Sequence, residues 1–178
     1  MVDAVKQYAP NTTFLKGVSG VGDREGRVTT ADNDGIANAT AMAKASDTTV
    51  MVIGTDLSTA HEGHDAINLT LSVNQQLLVT AVAAAAAKPV VVVVMSAVPL
   101  DLSELLSNPK VGAILYVGQP SVQCLGVGDV LFGKVAAAGK MVQTLYPASF
   151  QHSLSIFDMN MRPVRSGFYI IVRDGTVR

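Results

Sequence analysis

The chain is poor in cysteine, aromatic residues and charge. A single cysteine, Cys124, excludes an internal disulfide and any metal site built on several thiolates. It sits in the apolar stretch QCLGVGDVLF, where it reads as a small buried residue and not as a nucleophile. There is no tryptophan, with four tyrosines and five phenylalanines, so the core must be built from Val, Leu, Ile, Ala and Met. Charged residues make up 15% and the net charge is −1, which leaves no footprint for nucleic acid or an acidic membrane surface. The opening VDAVKQYAP is not an apolar run behind a basic start, so no signal peptide is read there. Lys88 and Pro89 interrupt the apolar run over 79–100, and each half is too short to span a membrane. The glycine-punctuated stretch 17–26, GVSGVGDREG, lacks the apolar helix that a dinucleotide-binding turn must open. No cofactor is expected.

What is present is an apolar chain, 49% hydrophobic over 178 residues, long enough for one globular domain over 1–178. Its patterning alternates strands and helices. A helix is expected over 1–9, with Val2, Val5 and Ala9 on one face and Pro10 ending it. A strand is plausible over 12–18, and an amphipathic helix over 34–45 carries Ile36, Ala39, Met42 and Ala43 inward. Runs rich in β-branched residues at 49–53, 89–95 and 111–117 read as strands buried on both faces. Between them, Ser72 and Gln75 have capping-box spacing ahead of a helix over 75–87, and Asp101 caps a short helix over 102–106. A helix over 121–132 follows. Residues 141–146 and 167–172 are candidate strands at the sheet edge. This alternation predicts an α/β fold, a three-layer sandwich with a mostly parallel sheet and helices on both faces.

The chemistry concentrates in residues 48–65, TTVMVIGTDLSTAHEGHD. The strand ends at Gly54, and the polar loop beyond it carries His61, Glu62, His64 and Asp65. In open parallel sheets ligands bind beyond the carboxyl ends of the strands. Right-handed crossovers would gather the loops at 61–65, 96–99 and 118–123 on one rim. A solvated loop without chemistry is the plain alternative. His61 and His64 are three apart with glycine between, not four apart on one helix face, so no metal site is expected. Three sequons, at Asn11, Asn38 and Asn68, matter only in a secretory compartment.

The order of motifs resembles the second, α/β-sandwich domain of family 3 glycoside hydrolases, above all the plant-type β-xylosidases. The matching stretches are MVIGTD (51–56), Glu62 with Asp65 three residues on, LTLSVNQQLL (69–78), KPVVVVVMSAVPLDLS (88–103), VGAILYVGQP (111–120), GDVLFGK (128–134), GKMVQTLYP (139–147) and DMNMRP (158–163). The resemblance implies the C-terminal domain of a retaining, exo-acting β-glycosidase, a β-xylosidase or β-glucosidase acting on terminal β-glycosides. In that family the nucleophilic Asp lies on a barrel domain and the acid/base Glu on a sandwich loop. Glu62 falls on the acid/base position, and His61, His64 and Asp65 beside it would contact substrate. The implied partners are a β-xyloside or β-glucoside and the barrel domain of a parent enzyme. Family members are often secreted or vacuolar; the compartment of this chain is open.

The departures from the family pattern are specific. Its Asp-Arg pair reads Asp65-Ala66, and His64 stands where the family has an Arg-like residue. The glycine-rich turn reads Gln119-Pro120-Ser121-Val122-Gln123-Cys124, the Leu-Pro-x-Thr-Trp segment reads Met141-Val142-Gln143-Thr144-Leu145, and the C-terminal segment reads Arg165-Ser166-Gly167-Phe168-Tyr169. No barrel precedes Met1, which suggests a fragment or truncated product beginning inside the domain. The isolated chain is then expected to be inactive. A catalytically inactive carbohydrate-binding or interaction module is the alternative. A sheet lacking its first strand would expose an edge, so a homo-oligomer is expected.

Overall fold

The computed structural model describes residues 1–23, 25–27, 35–120, 124–151, 155 and 157. Three parallel strands, β1 (Val50–Gly54), β2 (Val90–Met95) and β3 (Val111–Gly118), lie in the order β1-β2-β3. Six helices accompany them among the described residues: α1 (Val2–Lys6), α2 (Ile36–Ala45), α3 (Val73–Ala85), α4 (Ser103–Ser107), α5 (Leu125–Leu131) and α6 (Ala148–Gln151).

The valine run of β2 explains the layering. Side chains alternate across a strand, so Val90, Val92 and Val94 turn one way. They meet Ala39 and Ala43 of α2 and Leu78, Val79 and Val82 of α3. Val93 and Met95 turn the other way, against Val127 and Leu131 of α5 and Met1 ahead of α1. Val90, Val92, Val93 and Val94 are fully buried, each worth about 1.5–3 kcal/mol against solvent exposure. Helices α2 and α3 pack together on one face, and α1 and α5 on the other. This is the three-layer α/β sandwich that the alternating pattern predicts.

The strand β1 is an edge among the described residues. Thr49 O accepts from Val91, and Thr55 N donates to Met95 O. By parity, Val50, Val52 and Gly54 therefore turn their backbone groups outward. At Gly54 the outward groups are claimed by a side chain from α3. Gln75 Oε1 accepts the Gly54 N–H at 2.8 Å, while Gln75 Nε2 donates to Gly54 O at 2.9 Å and to Val21 O at 3.1 Å. The amide stands where a neighbouring strand's peptide group would be. Gly54 itself is obligatory: its φ is +150°, and a Cβ there would run into the Met95 carbonyl.

Several sequence expectations shift. The helix expected over 75–87 opens at Val73, with Ser72 as N-cap but no side-chain cap bond. Gln75 forms no capping box with the Ser72 N–H, because strand β1 takes its amide. Residues 12–18 form no strand. They cross the helical layer, where the Thr13 hydroxyl donates to Met42 Sδ at 3.5 Å and Gly17 lies against Leu78; β-propensity needs a pleated partner to act on. Residues 141–146 form no edge strand either, and Val142 is almost fully exposed. In the first helix Ala4 is the fully buried residue, with Val2, Val5 and Ala9 only half-buried. The helices expected over 34–45, 102–106 and 121–132 appear as Ile36–Ala45, Ser103–Ser107 and Leu125–Leu131. Asp34, residues 121–123, the motif at 158–163 and the strand expected at 167–172 lie outside the described residues. Cys124 is buried beside Val93 and Val127.

Asp101 caps two helices at once. Its Oδ1 accepts the Ser103 N–H at 2.9 Å, and its Oδ2 accepts the Ala148 N–H of α6 at 2.7 Å. Burial pulls this carboxyl's pKa up, but the bonds from Ala148 and Ser103 outweigh it and hold the pKa below the usual value.

Two outcomes follow from this packing. Gln75→Leu leaves Gly54 N and O without their partner and should cost roughly 2–4 kcal/mol. The adjacent Asn74 is also buried, with its Nδ2 unpartnered, so Asn74→Leu should be neutral or stabilising by up to about 1 kcal/mol. Urea unfolding of both variants checks the contrast; equal losses would contradict it. The second concerns acid. Asp101's folded pKa lies below its unfolded value of about 3.9, so its contribution is present above that pH and lost as pH falls through the folded pKa. Asp101→Asn should lower the Tm at pH 7, and the gap to wild type should close as the pH falls through the folded pKa, below the unfolded value of about 3.9.

Candidate functional site

The site is assembled at the carboxyl ends of the strands. Thr55, the first residue beyond β1, shares a 2.6 Å hydrogen bond between its hydroxyl and that of Ser96, just beyond β2. Ser96 Oγ donates to Val98 O at 2.7 Å. From β3, the Tyr116 hydroxyl lies 3.0 Å from Val98 O and 3.2 Å from Ser96 O. Burial pushes the Tyr116 pKa up, against a smaller lowering by the Ser96 bond. A protonated phenol is the form that can donate to these carbonyls. The rim of the sheet is thus stitched by Thr55, Ser96, Val98 and Tyr116.

The loop from β1 then leaves this rim in three pieces. The first is a turn over 56–59. Asp56 Oδ1 accepts from Ser58 N at 2.8 Å and from the Ser58 hydroxyl, and Thr59 N donates to Asp56 O at 3.0 Å. Ser58 and Thr59 hydroxyls both donate to Gly22 O, which docks the turn on the segment preceding α2. The third piece docks on the same segment. Asn68 Nδ2 reaches Glu25 O at 3.3 Å, while Asn68 Oδ1 accepts from Thr70 N and Thr70 Oγ1, both at 2.9 Å.

That supporting segment is the glycine-punctuated stretch, and its structure shows what the glycines and charges do. Asp23 Oδ1 accepts the Glu25 and Arg27 N–H groups, and Asp23 Oδ2 takes Arg27 Nε at 2.9 Å. Arg27 also pairs with Glu25 at 2.9 Å. Desolvation raises the Asp23 pKa, but Arg27, with the Glu25 N–H, lowers it further and leaves it below the usual value. The stretch is a closed polar turn that buttresses the site loop.

Between the two docking points stands a two-residue hairpin. His61 N donates to His64 O at 2.9 Å and His64 N to His61 O at 2.8 Å, an isolated antiparallel bridge. Glu62 and Gly63 form its turn. Gly63 takes φ +77° with open space around it, as the second central position of a type II turn requires. The His61 and His64 rings stack at 4.4 Å and 12°. His61, Glu62, His64 and Asp65 are all exposed.

The structure therefore brings His61 and His64 together but joins neither to Glu62 through its side chain. Glu62 and Asp65 make no side-chain hydrogen bond or ion pair to another described residue. The hairpin makes no hydrogen bond to the described residues of the other two rim loops; residues 121–123 lie outside the described set. Among the described residues no group of three or more His, Cys, Asp or Glu side chains is placed to hold a metal ion. No helix among the described residues is long and apolar enough to cross a membrane. Sequence reasoning placed Ser96 on the rim with the 96–99 loop but missed Thr55 and Tyr116, because single hydroxyls at a strand end carry no spacing signal. It found Gln75 through its spacing from Ser72, but gave it the wrong partner.

The Glycosyl hydrolase family 3 C-terminal domain matches residues 1–169. Beta-D-xylosidase 3 of Arabidopsis thaliana is 39% identical over 135 residues, covering 75% of this chain and 18% of that protein. Beta-xylosidase/alpha-L-arabinofuranosidase 2 of Medicago sativa subsp. varia is 38% identical over 132 residues, covering 74% of this chain and 17% of that protein. The crystal structure of a family 3 β-glucosidase from Bifidobacterium adolescentis superimposes with a TM-score of 0.63 at 28% identity, over 80% of this chain and 20% of that one. The chain spans about a fifth of the length of the relatives it matches. With the sandwich fold, the rim beyond its parallel strands and a match over nearly its whole length, the chain belongs to the glycosyl hydrolase family 3 C-terminal domain family.

Proposed function

We propose that this chain supplies the acid/base half of a retaining, exo-acting β-glycosidase site, with Glu62 as the proton donor. The observation that carries the reading is the placement of Glu62 in the turn of a hydrogen-bonded hairpin beyond β1, exposed and without a side-chain partner among the described residues. Leu57 and Ile67 flank the hairpin in sequence at 70% and 52% exposure. An unpaired carboxylate between exposed apolar side chains suits a surface that a second domain covers.

Retaining hydrolysis needs two carboxyl groups about 5–5.5 Å apart, one attacking the anomeric carbon and one protonating the leaving oxygen. The nucleophile in this reading is a carboxylate of another domain, as a barrel domain would provide. In the first step the nucleophile bonds to C1 as the C1–glycosidic oxygen bond breaks, and Glu62 gives its proton to the departing oxygen, which leaves as the alcohol. In the second, Glu62 takes a proton from water as it attacks C1, and the C1–nucleophile bond breaks to release the sugar and restore the carboxylate. A general acid at neutral pH works best with water excluded from it, and the covering domain would exclude it. The substrate is a terminal β-glycoside, a β-xyloside or β-glucoside, as the names of the relatives suggest.

The chain alone should not hydrolyse aryl β-xylosides or β-glucosides. Assembled with the barrel domain of a family 3 β-xylosidase it should, and Glu62→Gln should then lower kcat about 10²–10⁴-fold. The loss should be smallest for substrates whose leaving group needs no proton. Turnover by the chain alone that disappears in Glu62→Gln would instead make it a self-contained enzyme. Saturable binding of xylo-oligosaccharides, unchanged by Glu62→Gln and without turnover beside the barrel, would make it a carbohydrate-binding module.

A further inference from the structure

A short exposed hairpin is poorly ordered by its turn alone, since two-stranded hairpins are at best marginally stable in water. The one that carries Glu62 has two additional ties. His61 and His64 are directly opposite across the bridge, so their side chains share a face, and their rings stack at 4.4 Å within 12° of parallel. His61 Nδ1 lies 2.9 Å from Leu57 O. A carbonyl only accepts, so Nδ1 carries the proton and donates. Leu57 in turn belongs to the 56–59 turn that Ser58 and Thr59 tie to Gly22 O. A continuous set of contacts therefore runs from the supporting segment through Leu57 and His61 to His64. Glu62 lies between the two stapled residues.

We propose that His61 and His64 are positioning residues, a stacked-imidazole staple that fixes the direction in which the Glu62 carboxyl leaves the domain. The proposal rests on Glu62 being the acid/base, and it replaces the expectation that these histidines contact substrate. Each ring gives one face to the other, and His61 gives Nδ1 to Leu57 O. His61 Nε2 and both His64 nitrogens make no hydrogen bond among the described residues, so the test separates the stack from hydrogen bonding to a sugar. Holding the turn has value, because a carboxyl misplaced by about 1 Å can cost on the order of 10²-fold in rate.

The test compares His64→Ala with His64→Phe. Phenylalanine keeps a flat ring for the stack but removes both nitrogens, so it separates holding the turn from hydrogen bonding to a sugar. In ¹⁵N relaxation of the 178-residue chain, His64→Ala should lower the order parameters of the Glu62 and Gly63 amides from about 0.8 to below about 0.6. The amides of β1–β3 should not change, and His64→Phe should match wild type. Unchanged order in His64→Ala, or failure of His64→Phe to restore it, would overturn the staple. In the enzyme assembled with the barrel domain, His64→Ala should lower kcat about tenfold or more with KM within about twofold, and His64→Phe should recover it. Loss of activity in Glu62→Gln with none in His64→Ala would overturn the staple and leave the acid/base assignment standing. No loss in Glu62→Gln would overturn that assignment, while the relaxation data would still decide whether the staple orders the turn.

Discussion

The structure depends on how β1 ends. At Gly54 the chain must stop being a strand and become a site loop, and its outward peptide groups face no neighbouring strand among the described residues. Gln75 resolves this by turning its amide onto Gly54 N and O and onto Val21 O. One side chain thus couples helix α3, strand β1 and the segment that supports the loop. Buried backbone groups must be paired, and a glutamine is the smallest side chain that can present a donor and an acceptor in a peptide-like geometry at that reach. With the strand end fixed, Thr55 is held at Ser96, and the loop begins from a defined point.

The layers were legible in the sequence because burial on both faces has a direct signature. Five consecutive valines at 90–94 cannot belong to a strand with one wet face. Their alternation onto α2 and α3 on one side and α5 on the other is what such a run demands. Residues 12–18 and 141–146 were misread for the opposite reason. Their β-branched and aromatic residues report a preference for pleated surfaces, and no strand lies beside either segment. Helix α6 was missed because what holds it is remote: Asp101 receives the Ala148 N–H from 47 residues away.

The site was legible in position but not in form. A cluster of titratable residues after an apolar strand located the loop, and the spacing of Glu62 and Asp65 tied it to a family. Nothing in the spacing of His61 and His64 announces that their rings stack; that follows from the turn, and the turn follows from Gly63 with its positive φ. The work of the glycine-punctuated stretch as a buttress depends on Asp23 and Arg27 closing it, a pairing visible only in three dimensions. Asp65, followed here by Ala66, makes no ion pair among the described residues, while the hairpin is held by its bridge and its stacked rings.

The central claim is that Glu62 is presented outward to meet a carboxylate from another domain. A crystal structure of this chain assembled with a family 3 barrel domain and a substrate analogue tests it most directly. The account predicts the Glu62 carboxyl about 5–5.5 Å from the barrel's nucleophilic carboxylate, with the leaving oxygen within hydrogen-bond reach. A separation beyond about 8 Å with the sugar bound, or a different carboxylate at the leaving oxygen, would contradict it.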